Sequence, residues 1–201
     1  NAMKIEKVHV KGDGIDLIVG IGEGRRWLGA SGANIPSYEV YISPDCRKTK
    51  GKIKFNQPLY RYGNLIEGIS LEFKNGKVVK ASARKGEKIL KEIIKTKGAN
   101  RIGEFSLTDG RLSKVTKFMA ETLFDENRGG KYGNMHIALG NAYKDSHPKN
   151  PSKVKKPEWK KLGYNESVIH TDIVSTESKE VTAFLKDGKK VVIYKDGRFL
   201  V

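Results

Sequence analysis

The segment ISLEFKNGKVVKASA, residues 69–83, carries the strongest structural signal in the chain. Apolar and polar residues alternate on both sides of Asn75-Gly76, and a period of two is typical of a strand with one buried face. Asn-Gly favours a two-residue hairpin turn, because both turn positions require a positive φ. The segment therefore predicts a β-hairpin and indicates antiparallel sheet as the main structure around it.

More strands are predicted on both sides of this hairpin. Residues 4–21 alternate around KGDG and favour an N-terminal hairpin, which a Gly-rich connection follows at residues 22–34. Asp187-Gly188 marks a turn between the last two strands. The remaining strands are predicted in YEVYISP, KIKFNQPLYRYG, IGEFSLTDG, SVIHTDIV, VTAFLKDGKK and VVIYKDGRFLV.

Helices are predicted to be few and short. Helical spacing of apolar residues in KGEKILKEIIKTKG predicts a helix that ends at Gly98, and PEWKKLG predicts another. KFMAETLFDEN and NMHIALGNAY fit either a strand or a helix, whereas residues 144–156 predict a loop. We expect an α+β fold, a β-rich single domain of mostly antiparallel strands and hairpins with a few short helices. The domain would span residues 3–201, since residues 1–2 resemble a tag remnant.

The composition narrows the kinds of binding partner and the cellular compartments that suit this chain. The 201 residues contain no apolar run long enough to span a membrane, and the N-terminus has no signal-peptide core. The single cysteine, Cys46, rules out an internal disulfide and fits the cytoplasm. Lys plus Arg number 39 against 23 Asp plus Glu, a net charge of +16 that could serve a polyanion. Many of the lysines are scattered, however, and SKVKKPEWKK is the exception, so a nucleic-acid partner is not the main expectation.

SVIHTDIV, residues 167–174, places His170 and Asp172 two positions apart on a predicted strand. Side chains at positions i and i+2 of a strand project from the same face. If that face is buried, an ion on it needs a partner, because leaving it unpaired costs several kcal/mol. Three outcomes stay open for the pair: hydrogen bonding within a polar network, exposure on a solvated face, or joint ligation of a metal ion.

Other segments strengthen the metal hypothesis. Glu39 lies in NIPSYEVYISP and Glu104 in RIGEFSL, each among apolar residues of a predicted strand. Glu126 lies in TLFDEN, and His136 lies in NMHIALG. Each alone is more often solvated or satisfied in the core. Together with His170 and Asp172 they offer four carboxylates and two imidazoles, without a nearby cysteine. Such a set suits a catalytic divalent centre better than a structural zinc site, and its negative charge balances two divalent cations.

Five ordered motifs resemble segments of the aminopeptidase T / aminopeptidase S family of metallopeptidases: NIPSYEVY, LIEGISLEFKNGKVV, TLFDEN, MHIALGNAY and IHTDIV. The corresponding family segments are N-x-P-x-x-E-V, G-x-I-x-G-I-x-L-x-F-x-x-G-K-V, T-L-F-D-E-N, H-x-A-L-G-x-A-Y and H-x-D. The resemblance runs from about Asp13 to the C-terminus. Members of that family are roughly twice as long, so this chain resembles their C-terminal, metal-binding half.

The resemblance implies six metal ligands: Glu39, Glu104, Glu126, His136, His170 and Asp172. It implies Glu104 as the ligand that bridges two ions. Glu126 is either the sixth ligand or the base that handles the proton of the attacking water. Tyr143 matches a tyrosine of the same site, and its phenol could donate a hydrogen bond to the developing oxyanion.

The implied reaction is hydrolysis of the N-terminal peptide bond by a water that two divalent ions activate, with Zn, Co, Mn or Mg as the metal. The implied substrates are peptides with a free N-terminus. In the family, the missing N-terminal half helps to form a dimer, so a homodimer stays an open expectation here, as does full activity. Two alternatives stay open: a non-catalytic binding module with a basic nucleic-acid-binding surface, and a metal-dependent hydrolase of another substrate. The presence of every matched ligand argues against the binding module.

Overall fold

The computed structural model describes residues 1–29 and 36–201. The end of the predicted Gly-rich connection and Asn34 of the N-x-P-x-x-E-V motif lie outside these residues. The strands are β1 (Ile5–Gly12), β2 (Ile15–Gly20), β3 (Leu28–Gly29), β4 (Glu39–Ile42), β5 (Thr49–Lys54), β6 (Leu59–Arg61), β7 (Asn64–Ile66), β8 (Ser70–Lys74), β9 (Lys77–Ser82), β10 (Ile102–Thr108), β11 (Asn134–Gly140), β12 (His170–Ser175), β13 (Lys179–Leu185), β14 (Lys190–Lys195) and β15 (Arg198–Phe199). The helices are α1 (Glu87–Lys95), α2 (Thr122–Asp125) and α3 (Lys156–Leu162), with 3-10 turns at Lys144–Ser146 and Pro151–Lys153.

Two antiparallel sheets form the body of the fold. The larger has eight strands in the order β15-β14-β13-β1-β2-β5-β8-β9, and the smaller has five in the order β12-β11-β10-β4-β3. Strands β6 and β7 form a separate two-stranded ribbon. No helix in the two described ranges is both long and apolar enough to cross a membrane. This architecture confirms the predicted β-rich α+β class with antiparallel strands and short helices.

The hairpin predicted at residues 69–83 is present as β8 and β9. Asn75 and Gly76 have φ angles of 51° and 76°, the left-handed conformation that this two-residue turn requires. A Cβ atom at position 76 would collide with the carbonyl oxygen of Cys46, so glycine is needed there for space as well as for its backbone. The turn therefore sets the strand register, which directs Leu71 into the core.

The larger of the two hydrophobic clusters among the described residues lies between the two large sheets. It takes residues from both of them, among them Val8, Val10, Leu17, Val19, Ile53, Leu71, Phe105, Leu107, Met135, Ile137 and Ile173. Strands β10 and β11 are buried along their whole lengths. Because alternate residues of a strand face opposite sides, only one face of each strand can meet this core. The other face is buried separately, and it carries polar side chains.

The structure shows the type of two segments that the sequence left open, and it differs from the prediction at other elements. KFMAETLFDEN, which fitted either type, forms the single helical turn α2, and NMHIALGNAY forms the strand β11. The helix α1 ends at Lys95, because Thr96 is already extended, and so it stops short of the predicted Gly98. The last segment is not one strand, since Asp196 and Gly197 have φ angles of 48° and 81° and turn the chain from β14 into β15. The short strands β3 and β7 were not predicted, because two or three residues show no alternation.

Asp109, just after β10, ties the C-terminal strand to the smaller sheet. Its carboxylate accepts hydrogen bonds from the backbone N–H of Phe199 (3.0 Å) and from the guanidinium of Arg111 (2.9 and 2.7 Å). The side chain is buried. The bonds from Arg111, helped by the backbone N–H groups, outweigh this burial and lower the pKa of Asp109 to about 2.

We expect Asp109→Asn to lower the free energy of unfolding by about 2 kcal/mol at neutral pH. The folded pKa of about 2 lies below the reference value of 3.8. The contribution is therefore present above about pH 4 and is lost as the pH falls through about 2. Urea unfolding at neutral and acidic pH measures it. Asp187→Asn removes an exposed partner of Lys189 and is the matched control; equal losses from both variants would contradict the prediction.

Candidate metal centre

Strand register brings the predicted acids onto the polar face of the five-stranded sheet. Residues directly opposed in antiparallel strands share a face. Thr108 of β10 opposes Glu39 of β4, and Glu104 lies on the same face of β10 because it is four residues from Thr108. Ala138 of β11 opposes Glu104 on one side and Asp172 of β12 on the other. Three carboxylates from three strands therefore project from one surface.

The two histidines join this face for the same reason. His136 is two positions from Ala138 on β11, and His170 opposes Gly140. Ala138 and Gly140 have the smallest side chains, so they leave space above the sheet between the larger residues of the neighbouring strands. The H-x-D spacing delivers His170 and Asp172 side by side, as the strand period predicts.

Glu126 reaches the same cluster from outside the sheet. It follows the single turn of α2, and its carbonyl oxygen accepts hydrogen bonds from Asn134 Nδ2 (2.8 Å) and His136 Nδ1 (3.0 Å). Asn127 braces the turn, since its Nδ2 donates to the carbonyl oxygen of Leu123 (3.1 Å). These bonds pin the turn above the polar face.

The ligand atoms of all six residues converge. His136 Nε2 lies 3.1 Å from Glu104 Oε1 and 3.3 Å from Glu39 Oε2. His170 Nε2 lies 3.2 Å from Asp172 Oδ1 and 3.8 Å from Glu104 Oε2. Three overlapping triads have their ligand atoms within 4.8 Å of one another: Glu39–Glu104–His136, Glu104–His170–Asp172 and Glu126–His136–Asp172. The structure thus brings every predicted ligand to one place.

A backbone carbonyl orients each histidine. His136 Nδ1 lies 3.0 Å from the carbonyl oxygen of Glu126, and His170 Nδ1 lies 2.8 Å from that of Asn141. Because a carbonyl oxygen only accepts hydrogen bonds, both Nδ1 atoms carry a proton and donate it. The Nε2 atom of each ring therefore faces the carboxylates, which is how proteins commonly orient histidines that bind metals.

Burial places four carboxylates where water solvates them poorly. Burial, reinforced by neighbouring negative charges, raises the pKa of Glu104 to about 7 and that of Glu126 to about 9. Burial alone would lower the pKa of both histidines. Their carboxylate partners outweigh it, so the pKa of His170 rises to about 9 and that of His136 rises well above its usual value. The cluster therefore favours bound protons or another source of positive charge.

The residues fit a site for divalent cations. Glu104 Oε2 and Asp172 Oδ1 are buried, and neither accepts a hydrogen bond of good geometry within the described part of the chain. Buried acceptors and charges of this kind need a partner. Carboxylate oxygens with a little imidazole are a donor set that divalent ions prefer. Because Asp172 is buried, the solvated-face outcome considered for the H-x-D pair is wrong.

A family model described as thermophilic metalloprotease (M29) matches residues 1–199 of the chain. This chain belongs to the M29 metallopeptidase family. The match extends over nearly the whole sequence, so it confirms the resemblance that the ordered motifs indicated.

Named relatives of this M29 chain are aminopeptidases. It is 34% identical to Aminopeptidase T of Thermus thermophilus over 214 aligned positions, which cover 100% of this chain and 50% of the relative. It is 31% identical to Aminopeptidase AmpS of Bacillus subtilis, with coverage of 96% and 48%. The solved structure of wild-type AmpT from Thermus thermophilus matches with a TM-score of 0.85 at 32% identity, over 98% of this chain and 50% of that one. The chain thus spans about half the length of these relatives.

A more distant solved structure shares the fold alone. The 2,5-dihydroxypyridine dioxygenase from Pseudomonas putida KT2440 is 13% identical to this M29 chain, with a TM-score of 0.63 over 100% of this chain and 56% of that one. Similarity of fold at this identity carries no statement about activity. Neither the family nor the named relatives support the nucleic-acid-binding alternative.

Tyr143 lies at the edge of the cluster in this M29 chain. Its ring centroid is 4.6 Å from that of His170 and 6.2 Å from that of Tyr41, and its backbone N–H donates to Ser43 Oγ (2.8 Å). The residue is 45% exposed, so it lies where solvent meets the cluster. Partial burial and the nearby charge of Glu104 raise the pKa of its phenol. The hydroxyl therefore stays protonated at neutral pH and can donate a hydrogen bond.

Sequence reasoning missed three polar neighbours of the cluster in this M29 chain. Ser106 Oγ donates to Glu39 Oε2 (2.7 Å), and the hydroxyl of Tyr41 donates to Asp145 Oδ2 (2.9 Å). Ser106 and Tyr41 each lie two positions after a predicted ligand, Glu104 and Glu39, so the strand period could have identified both. Asp145 belongs to the lysine-rich loop, where no sequence signal distinguished it.

Proposed function

We propose that this chain is the catalytic half of a metal-dependent aminopeptidase, a hydrolase that removes the N-terminal residue of peptides with two divalent metal ions. One observation carries the proposal. Six side chains meet in a buried cluster, and two of its carboxylate oxygens accept no hydrogen bond of good geometry within residues 1–29 and 36–201. The aminopeptidases named among the relatives match this chain over all or nearly all of its length, which supports the same activity.

Six residues would hold the two ions: Glu39, Glu104, Glu126, His136, His170 and Asp172. Glu104 is the proposed bridge, because its two oxygens face different histidines. Oε1 lies 3.1 Å from His136 Nε2, and Oε2 lies 3.8 Å from His170 Nε2. The four carboxylates together carry the charge that two divalent cations neutralise, and Zn, Co, Mn or Mg would each suit this donor set.

The side chains around the proposed ions have separate tasks. When bound, the ions would lower the pKa of a water molecule and polarise the scissile carbonyl group. Glu126 either completes the ligand set or accepts and returns a proton. Tyr143 would donate a hydrogen bond to the carbonyl oxygen as negative charge develops there. The carbonyl-bound Nδ1 atoms of His136 and His170 keep both Nε2 atoms directed at the site.

Three expectations about the context of the chain belong to the same proposal. The catalytic domain is residues 3–201, and its substrates are peptides with a free N-terminus. A cytoplasmic location agrees with Cys46, a buried free thiol that suits a reducing compartment. A homodimer is the proposed assembly, and size-exclusion chromatography with light scattering tests it.

Loading the purified chain with Mn²⁺ or Zn²⁺ is expected to give about two bound ions per chain and hydrolysis of leucyl-2-naphthylamide. Treatment with EDTA should remove both the metal and the activity, and added metal should restore both. Elemental analysis and naphthylamine fluorescence measure the two quantities.

N-acetyl-leucyl-2-naphthylamide is the matched control substrate, because its blocked amine should prevent cleavage by an exopeptidase. Equal rates on the free and the blocked substrate would exclude an aminopeptidase. Metal binding without cleavage of any aminoacyl substrate would favour a hydrolase with a different substrate.

A further inference from the structure

A small cavity lies beside the proposed metal ligands, between the β6–β7 ribbon, the turn of α2 and the strand β12. Its volume is about 20 Å³, and its lining includes the buried ligands Glu126 and Asp172 as well as Tyr60, which is 45% exposed. Arg61 Nη2 donates a hydrogen bond to the carbonyl oxygen of His170 (3.1 Å), which holds the ribbon against β12. The cavity therefore connects the ligand cluster with the surface of the ribbon.

Val174 gives the ligand face of β12 an apolar wall at this cavity. It is two positions from Asp172, so both side chains lie on the same face, and it pairs with His136 of β11. Val174 and Leu59 of β6 are both buried, and both line the cavity together with Pro58. Metal ligation uses none of these three side chains, so their wall is available to an apolar part of a substrate.

The acids of the lining already have other partners. Asp125 accepts hydrogen bonds from the backbone N–H groups of Met119 (2.8 Å) and Glu121 (3.1 Å). Glu126 and Asp172 are proposed metal ligands. Because these carboxylates are engaged, the lining does not favour a basic side chain, and the apolar wall decides what the cavity accepts.

The volume of the cavity limits the size of the group that enters it. One water molecule needs roughly 10–15 Å³ of such space, and a methyl group is only slightly larger than a water molecule. The cavity of about 20 Å³ therefore accommodates one methyl group but not the branched side chain of leucine.

The covalent geometry of a peptide indicates which side chain this is. The α-amino nitrogen and Cβ of the N-terminal residue are bonded to the same Cα, so they lie about 2.5 Å apart. A free α-amine is attracted to the carboxylates of the cluster and to the ions that they would hold. Since Glu126 and Asp172 border the cavity, an amine held at their end of the cluster places Cβ of the same residue at the cavity.

We propose that this cavity receives the side chain of the substrate's N-terminal residue, and that Val174 and Leu59 restrict it to a small apolar side chain, with alanine as the best fit. The inference rests on the proposed aminopeptidase function, because it requires a peptide whose free amine lies at the cluster. Leu59 also packs in the hydrophobic core between the two sheets, so Val174 is the position to change.

The 2-naphthylamides of glycine, alanine and leucine test the proposal, since they differ only in the side chain. The metal-loaded wild type is expected to have a kcat/KM about tenfold or more higher for the alanyl than for the leucyl substrate, the range for misfit of a few carbon atoms in an apolar pocket. Val174→Ala enlarges the cavity and should lower this alanyl-to-leucyl ratio about fivefold or more. Val174→Ile fills the cavity and should lower kcat/KM for the alanyl substrate about tenfold, with less than a twofold change for the glycyl substrate.

Val181→Ala is the matched control, because it makes the same truncation at a buried valine of β13 in the larger sheet. It should leave the alanyl-to-leucyl ratio unchanged, and all three variants should keep the metal content of the wild type. Equal kcat/KM for the alanyl and leucyl substrates in the wild type would overturn the proposal. An unchanged ratio in Val174→Ala, or equal losses on the glycyl and alanyl substrates in Val174→Ile, would also overturn it.

Binding tests the same cavity without turnover. Calorimetric titration of L-alanine and L-leucine into the Mn²⁺-loaded chain should show about tenfold tighter binding of L-alanine by the wild type and a smaller difference in Val174→Ala. Equal or tighter binding of L-leucine by the wild type would overturn the proposal. Preference for L-alanine without hydrolysis of any naphthylamide would overturn the proposed function alone, whereas hydrolysis without a preference for the alanyl substrate would overturn the role of the cavity alone.

Discussion

Glu104→Gln is expected to abolish retention of both metal ions and to lower kcat/KM for leucyl-2-naphthylamide by about three orders of magnitude or more. Glu104 lies between the two histidines and belongs to two of the three ligand triads. A neutral amide offers a poorer ligand and removes a negative charge, and the several kcal/mol that metal ions contribute to catalysis correspond to such a loss. Elemental analysis after dialysis and initial rates measure the two effects. Glu72→Gln, at an exposed position of β8, is the matched control.

Thermal unfolding separates metal loss from misfolding in the same variant. A ligand that binds only the native state stabilises it by about 2.7 kcal/mol at a hundredfold excess over Kd. The Tm of the wild type should therefore rise when metal is added, and that of Glu104→Gln should not. In metal-free buffer the variant should be at least as stable as the wild type, because it no longer buries a carboxylate in contact with other acids. A Glu104→Gln chain that still holds about two ions would remove Glu104 from the bridging position.

Tyr143→Phe is expected to lower kcat about 10²- to 10³-fold while the chain keeps its metal. The phenol lies beside His170, and its raised pKa keeps the proton that it would donate to the developing oxyanion. Loss of one such donor typically costs a factor of this size. Stopped-flow or steady-state kinetics on leucyl-2-naphthylamide measures kcat, with metal content determined in parallel.

Tyr62→Phe is the matched control for this change, since Tyr62 is 61% exposed and lies in the turn of the ribbon. It removes a hydroxyl from the same type of side chain. Wild-type kcat in Tyr143→Phe would eliminate the phenol from the reaction. Loss of metal in Tyr143→Phe would instead assign it a structural part in the site.

The strand period predicted the local structure of the site but not its assembly. A two-residue repeat placed His170 and Asp172 on one face, and both side chains lie in the cluster. The same repeat does not predict which strands pair with one another. Ser106 and Glu39 are 67 positions apart in the sequence, yet they are joined by a hydrogen bond across adjacent strands. Sheet order depends on such distant contacts, so only the family motifs indicated that the six ligands meet.

The sequence also could not predict the positions of site residues that lie outside the long strands. Glu126 follows a single helical turn in a segment whose pattern fitted either type of structure, and hydrogen bonds from Asn134 and His136 determine where it lies. Arg61 ends a three-residue strand with no pattern of its own. Its bond to the carbonyl oxygen of His170 forms only once the ribbon is packed against β12. Both positions depend on tertiary contacts that local sequence does not encode.

Strand β11 separates the hydrophobic core from the cluster of proposed metal ligands. Ile137 touches the former, and the adjacent His136 reaches into the latter. Because close-packed interiors transmit small displacements, a change of volume at Ile137 would be felt by the imidazole next to it. A substitution that changes the packing of the core at β11 would therefore also shift a histidine of the proposed metal site.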